Sequence, residues 1–164
     1  MSDIDILKNL TCPEEVIKHC VAVSKNASEI ADRVKIKIDK KLIKRGALFH
    51  DVGRSKTHGI DHGIVGAKII RELGLGEKIA KIVERHIGAG ITGEEAKEIG
   101  LPFGDYCPKS PEEKIVAYAD NITIGSKTIS SEESIMQFKK MLGESHPSIK
   151  RMEDLHREIQ RWME

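Results

Sequence analysis

Apolar positions recur at three- and four-residue spacing through most of the chain, which is the signature of helices with one buried face. After Thr11-Cys12-Pro13-Glu14, which joins a capping residue to a proline early in the first turn, Val16, Ile17, Cys20, Val21, Ser24, Ala27, Ile30, Ala31 and Val34 share a face and predict a helix from about Pro13 to Lys35. Asp39 is placed to cap a second helix whose apolar set Leu42, Ile43, Ala47 and Leu48 runs into Phe49-His50-Asp51, with Gly53 placed to end it. Arg54 to Gly59 reads as a loop. Asp61 then precedes Ile64, Val65, Ala67, Ile69, Ile70 and Leu73, a pattern closed by Gly74. Ile79, Ala80, Ile82 and Val83 mark a further amphipathic segment from Glu77 to Arg85, ending at His86.

The stretch from Gly88 to Pro111 is the least regular, with one short helix expected after the capping box Thr92-Gly93-Glu94-Glu95. Ser110-Pro111-Glu112-Glu113 starts a helix through Ile115, Val116, Tyr118 and Ala119 that carries Asp120 near its middle. Ser130 starts another, with Ile135, Met136, Phe138 and Met141, and Pro147 starts the last, through Leu155, Ile159 and Trp162. No sustained alternation of apolar and polar residues occurs. The expectation is an all-α, compact single-domain bundle over residues 1–164 of roughly seven or eight helices, with a core region about 13–127 and C-terminal helices over 131–164.

Composition changes this picture little. With 27 basic and 26 acidic residues the net charge is +1, so no global field attracts nucleic acid. The basic run Arg33-Lys35-Lys37-Lys40-Lys41-Lys44-Arg45 is interrupted by Asp39 and reads as a solvated face. Acids in Met1-Ser2-Asp3-Ile4-Asp5 do not suit a signal peptide, and no apolar run has the length of a membrane span, so a cytoplasmic protein is expected. Cys12, Cys20 and Cys107 are odd in number and show no CxxC spacing, which points to reduced structural thiols; Cys20 is read as a core residue despite its neighbour His19.

Candidate chemistry lies in an ordered set: His19, His50-Asp51, His62, His86 and Asp120, each on a helix or at a helix end. The matching text is Val16-Ile17-Lys18-His19-Cys20, Ala47-Leu48-Phe49-His50-Asp51-Val52-Gly53, Asp61-His62-Gly63-Ile64-Val65-Gly66-Ala67, Glu84-Arg85-His86 and Ala117-Tyr118-Ala119-Asp120. This order resembles the HD-domain superfamily of metal-dependent phosphohydrolases, closest to its HDIG branch, with Val52 where that branch has Ile. The resemblance implies a first metal held by His19, His50, Asp51 and Asp120, and a second, bridged by Asp51, held by His62 and His86. Such a nitrogen and carboxylate set suits one or two divalent ions per chain, Mn, Fe, Co, Zn or Ni. The implied activity is hydrolysis of a nucleotide-like small-molecule phosphate ester, with Asp51, Asp120, Arg54, His62 and His86 in catalytic roles.

Ile87 follows His86 where the most elaborate two-metal members carry another His, leaving fewer ligands for the second ion. Arg54, with His58 nearby, is a candidate phosphate clamp, and Lys127, on the helix of Asp120 or just beyond it, is a candidate to reach the same anion. Arg54 is equally a partner for an acid, and Lys127 equally a solvated charge. Asp61 is read as an N-cap, and His146 and His156 as surface residues. A di-iron oxygenase is the alternative from another reaction class, since some members of the superfamily activate oxygen with a similar ligand set. A non-catalytic ligand-binding or regulatory module is the third reading.

Overall fold

The computed structural model describes every residue from Met1 to Glu164. Nine helices form, α1 (Asp3–Asn9), α2 (Glu14–Arg33), α3 (Lys40–Phe49), α4 (His62–Glu72), α5 (Glu77–Glu84), α6 (Gly93–Glu98), α7 (Pro111–Asn121), α8 (Ser131–Leu142) and α9 (Pro147–Met163), with a 3-10 turn at Val52–Ser55 and a hairpin of β1 (Thr123–Ile124) and β2 (Lys127–Thr128). The bundle is all-α as the periodicity predicts, and the capping boxes at Thr92 and Ser110 form. No helix is long and apolar enough to cross a membrane.

Helix α1 is not among the predicted elements, because seven residues are too few to display a period. It is held by local caps, a Ser2–Asp5 capping box, and by two anchors: Leu7 is buried, and Asp3 accepts two hydrogen bonds from Arg45 of α3. The expected cap at Thr11 is not made. Thr11 adopts φ 59°, its hydroxyl donates to the carbonyl of Leu10, and Pro13 opens α2 with no side-chain cap.

Two apolar clusters fill the interior, one joining α2, α3, α5, α7 and α9, the other joining α1, α3, α4 and α5. Helix α3 serves both: Ile43 and Ala47 face the first, and Phe49, wholly buried, faces the second. Burying a side chain of this size stabilises the fold by roughly 1.5–3 kcal/mol. Phe49 therefore holds the end of α3 fast at the point where His50 and Asp51 begin.

Several expectations are corrected by packing. Gly53 does not terminate α3, which ends at Phe49 with His50 as its C-cap; it lies in the 3-10 turn that replaces the first part of the expected loop. A Cβ on Gly53 would stand 1.8 Å from the carbonyl oxygen of His62, so a hydrogen there is what lets the turn lie against α4. Asp120 sits in the last turn of α7, one residue from its end, because the chain turns into the hairpin immediately afterwards. Asp61 stands at the N-cap position of α4 without bonding a helix N–H; its carboxylate accepts from the Thr57 hydroxyl. On α8 the apolar stripe is divided: Ile135 and Phe138 pack against the core, whereas Met136 and Met141 are exposed, and Ser134 is the fully buried position.

His156 is not at the surface. It is 2% exposed on the inner face of α9, its ring edge-on to Tyr118, with Nδ1 2.7 Å from the Ser131 hydroxyl and Nε2 accepting from the Asn121 amide at 3.3 Å. His146, half-buried, is the N-cap of α9 and accepts the Ser148 N–H. Burial keeps the His156 ring neutral, its pKa pushed down to about 4. The unfolded chain takes up a proton there near pH 6.5 and the folded chain only near 4, so stability present above pH 6.5 is lost as pH falls through that window, by about 3 kcal/mol in full. Urea midpoints at pH 7 and pH 4.5 should therefore fall less in His156→Gln than in the unsubstituted chain, by about 2 kcal/mol of stability. An equal fall in both proteins would show that the ring takes no part.

Candidate metal centre

Three of the site histidines share one local device. The carbonyls of a helix's last turn have no partner within the helix, and His50 at the end of α3 and His86 just past α5 donate from Nδ1 to such carbonyls three residues back, Ala47 at 2.6 Å and Val83 at 2.6 Å. His62, the first residue of α4, does the same to Gly59 at 2.8 Å in the preceding loop. His19, two turns into α2, finds its carbonyl far away in sequence: Nδ1 donates at 2.7 Å to Gly125 in the β1–β2 turn. With each Nδ1 committed to a carbonyl, every Nε2 is turned toward the site, and those of His62 and His86 lie 3.2 Å apart.

The four Nε2 atoms converge on two carboxylates. Asp120 Oδ1 lies 2.9 Å from His19 and 3.2 Å from His50. Asp51 is divided between two groups: Oδ2 lies 3.5 Å from His50 and 3.8 Å from His19, whereas Oδ1 lies 3.3 Å from His62 and 3.2 Å from His86. His50, Asp51, His62 and His86 are buried. His50 Nε2 is a buried polar atom with no hydrogen bond of adequate geometry despite its nearness to Asp120.

Burial works against every charge here, yet the mutual field wins. For Asp51 and Asp120 desolvation opposes ionisation, and the facing imidazoles, His50 foremost, hold both carboxyls well below the usual carboxylate range. His50 shows the reverse: burial disfavours its charge, but Asp51 and Asp120 raise its pKa well above the ordinary imidazole value.

These residues fit a divalent cation. Three overlapping sets, His19 with His50 and Asp51, His50 with His86 and Asp120, and Asp51 with His62 and His86, each bring their ligand atoms within 4.8 Å of one another. An ion placed there would give the unpartnered His50 Nε2 a bond and would replace protons on the cluster, so occupancy should weaken as pH falls.

The centre forms the floor of a cavity of about 390 Å³ walled also by Arg54, Asn121, Gln137, Phe138 and Met141. Arg54 Nε stands 3.3 Å from Asp51 Oδ2, so the guanidinium both pairs with an acid and faces the cavity. The other two candidates for the anion do not line it. His58 is exposed, meeting Arg54 through its backbone carbonyl at 3.4 Å, and Lys127 stands exposed on β2 instead of on the helix of Asp120. Sequence reading missed Asn121, Gln137 and the Gly125 carbonyl. Gly125 had a signal: Gly125-Ser126 is a two-residue turn with Gly first at φ 59°, the requirement of a type II′ hairpin. Asn26 of α2 clamps that hairpin by donating to the hydroxyls of Thr123 and Thr128.

A helical scaffold whose helix ends gather four imidazoles around two carboxylates supplies groups of ligand atoms that could hold a metal ion. The chain belongs to the HD-domain family, whose pattern matches residues 16–125. It is 56% identical over 159 residues to an uncharacterized protein of Methanocaldococcus jannaschii, covering 95% of this chain and 94% of that one. It is 42% identical over 154 residues to a tRNA (cytidine(56)-2'-O)-methyltransferase of Picrophilus torridus, covering 94% of this chain but 44% of that protein. Among solved structures, the HD domain of the L. monocytogenes phosphodiesterase PgpH in complex with cyclic-di-AMP superposes with a TM-score of 0.60 at 18% identity, covering 92% of each chain.

Proposed function

We propose that the protein is a metal-dependent phosphohydrolase acting on the phosphate ester of a nucleotide. The observation that carries this reading is the division of Asp51, whose two oxygens face separate groups of imidazoles, beside a cationic side chain at the cavity wall. His19, His50, Asp51 and Asp120 would hold one ion, and Asp51, His62 and His86 a second. When bound, such ions lower the pKa of water and polarise a phosphoryl oxygen. Arg54 binds the non-bridging oxygens of the phosphate through charge-assisted hydrogen bonds. Asp120 lines the cavity, and its carboxylate orients the attacking water by accepting a hydrogen bond from it.

The cyclic-di-AMP bound by the PgpH domain supports a nucleotide as substrate. A second reading, in which the ester is carried by RNA, is favoured by the match to part of a tRNA methyltransferase. The test is to strip the protein with chelator, confirm removal by elemental analysis, and assay nucleotide mono- and diesters and a short RNA with Mn, Fe, Co, Zn or Ni added back. Hydrolysis is expected to fall at least about 100-fold on stripping and to return with metal. Turnover indifferent to chelation would reject the proposal. Two irons per chain with oxygen consumption and no ester cleavage would favour the oxygenase.

A further inference from the structure

Beside the metal centre lies a second cavity, of about 400 Å³, with a different character. Its wall is mostly apolar, with Ile60, Ile91, Ile99, Leu142 and Met152, and it shares Ile87, Gly88, Phe138 and Met141 with the cavity over the candidate metal ligands. The two cavities therefore adjoin along these residues, one lined by the charged groups and the other mostly apolar. Each part falls in the lower range of small-molecule sites.

The apolar end is costly to leave in water. Ile99 is 48% exposed, Met141 73% and Leu142 39%, and these side chains border a concave surface. Polar groups are present at its rim: Glu98 is exposed, whereas Glu95 is committed to Arg151 and to the Thr92 capping box. A free carboxylate beside apolar walls suits a flat ligand with a hydrophobic face and an amino group on its edge. A phosphate linked to that ligand is the complement of the adjoining cavity, which Arg54, Asp51 and Asp120 line.

We infer that this apolar cavity is the base-binding subsite of the enzyme, accepting an amino-bearing nucleobase between Phe138, Met141 and the Ile99 side while the attached phosphate reaches Arg54. This inference rests on the phosphohydrolase reading for the phosphate end and makes α8, which supplies Gln137, Phe138 and Met141, the element that selects the substrate. Aromatic and apolar contact with a base commonly changes binding by a factor of ten or more. A nucleotide should therefore be preferred over the same ester without a base.

The experiment compares adenosine and guanosine 5′-monophosphates, a short oligoribonucleotide with a terminal phosphate, and ribose 5-phosphate, on the unsubstituted protein and on Ile99→Asp and Leu142→Asp. Both positions are partly exposed and neither lines the metal cavity, so the variants should fold. Isoleucine and leucine methyl NMR spectra, which require no turnover, should show Ile60, Ile99 and Leu142 moving with the base-bearing ligands and not with ribose 5-phosphate. The ratio of kcat/KM for a mononucleotide over ribose 5-phosphate should be about tenfold or more and collapse towards one in both variants. Response to mononucleotides supports a free nucleotide as the source, and response to the oligoribonucleotide alone supports an RNA end; both uphold the subsite. Methyl shifts that are absent, or equal for ribose 5-phosphate, would overturn it. So would variants that change a dimer into a monomer while leaving base preference intact, since the cavity would then be covered by a second copy. Absence of all hydrolysis with base-specific methyl shifts would retire the phosphohydrolase reading and keep the base site.

Discussion

Asp51→Ala is expected to leave the protein folded but unable to retain metal, with phosphate-ester turnover more than about 100-fold below the unsubstituted protein, beyond the effect of losing a group that only orients a ligand. The reason is its position. Asp51 is the only carboxylate with one oxygen toward His19 and His50 and the other toward His62 and His86, so its removal takes a ligand from both groups at once. It also leaves His62 and His86 without the carboxylate that they face, while His19 and His50 keep Asp120. His62→Ala is the informative contrast, because it should spare the set formed by His19, His50, Asp51 and Asp120. Elemental analysis after gel filtration, with circular dichroism as the check on folding, reads the difference. If Asp51→Ala kept the metal content of His62→Ala, Asp51 would not be a shared ligand.

Gly53→Ala is expected to be the most damaging single methyl group that can be added near the site. Its Cβ would lie 1.8 Å from the His62 carbonyl oxygen and 2.8 Å from the Gly66 nitrogen, both backbone atoms of α4 that cannot turn aside. Either the 3-10 turn or α4 has to move. Forced overpacking costs about 1–3 kcal/mol and more where backbone must shift, so a loss of about 3 kcal/mol and a fall in Tm of roughly 6–12 °C are expected. Because α4 carries His62, metal content and activity should fall with it. Gly66→Ala should act in the same direction, since its Cβ would meet Val83 Cγ1 at 2.7 Å and Gly53 N at 3.0 Å. By contrast Gly63→Ala, whose nearest neighbour would be the Val83 carbonyl oxygen at 3.3 Å, should be milder. Thermal unfolding of the three variants in chelator separates the packing effect from loss of metal, and near-equal melting of Gly53→Ala and Gly63→Ala would refute the close-approach account.

The site was legible to the extent that it is built from local order. His50, Asp51, His62, His86, His19 and Asp120 stand out in the chain because each is set at or near a helix terminus or within a clear helical pattern, and these six are the groups that the fold brings together. Arg54 follows the same logic, three residues after Asp51 in a 3-10 turn, where its side chain naturally returns toward that carboxylate. Lys127 illustrates the limit. Counting from Asp120 along a helix places it near the anion, but α7 stops at Asn121 and the hairpin carries Lys127 away. His156 fails for the opposite reason: a lone His on an amphipathic helix looks like a surface residue until the burial of its partners Asn121 and Ser131 against it is known.

By itself the sequence determined eight of the nine helices, the caps at Asp39, Thr92, Ser110 and Ser130, and the order of the ligands, because hydrogen bonds and side-chain neighbours three or four residues apart depend only on local text. Tertiary structure alone decided which oxygen of Asp51 faces which imidazoles, that the Gly125 carbonyl fixes the ring of His19, that Gly53 is a point of contact and not a helix end, and that an apolar cavity adjoins the one over the candidate metal ligands. Each of these joins groups that are far apart in the chain or turns on atoms too close to admit a methyl group. Such relations are set by how the helices pack, and no residue pattern within one helix contains them.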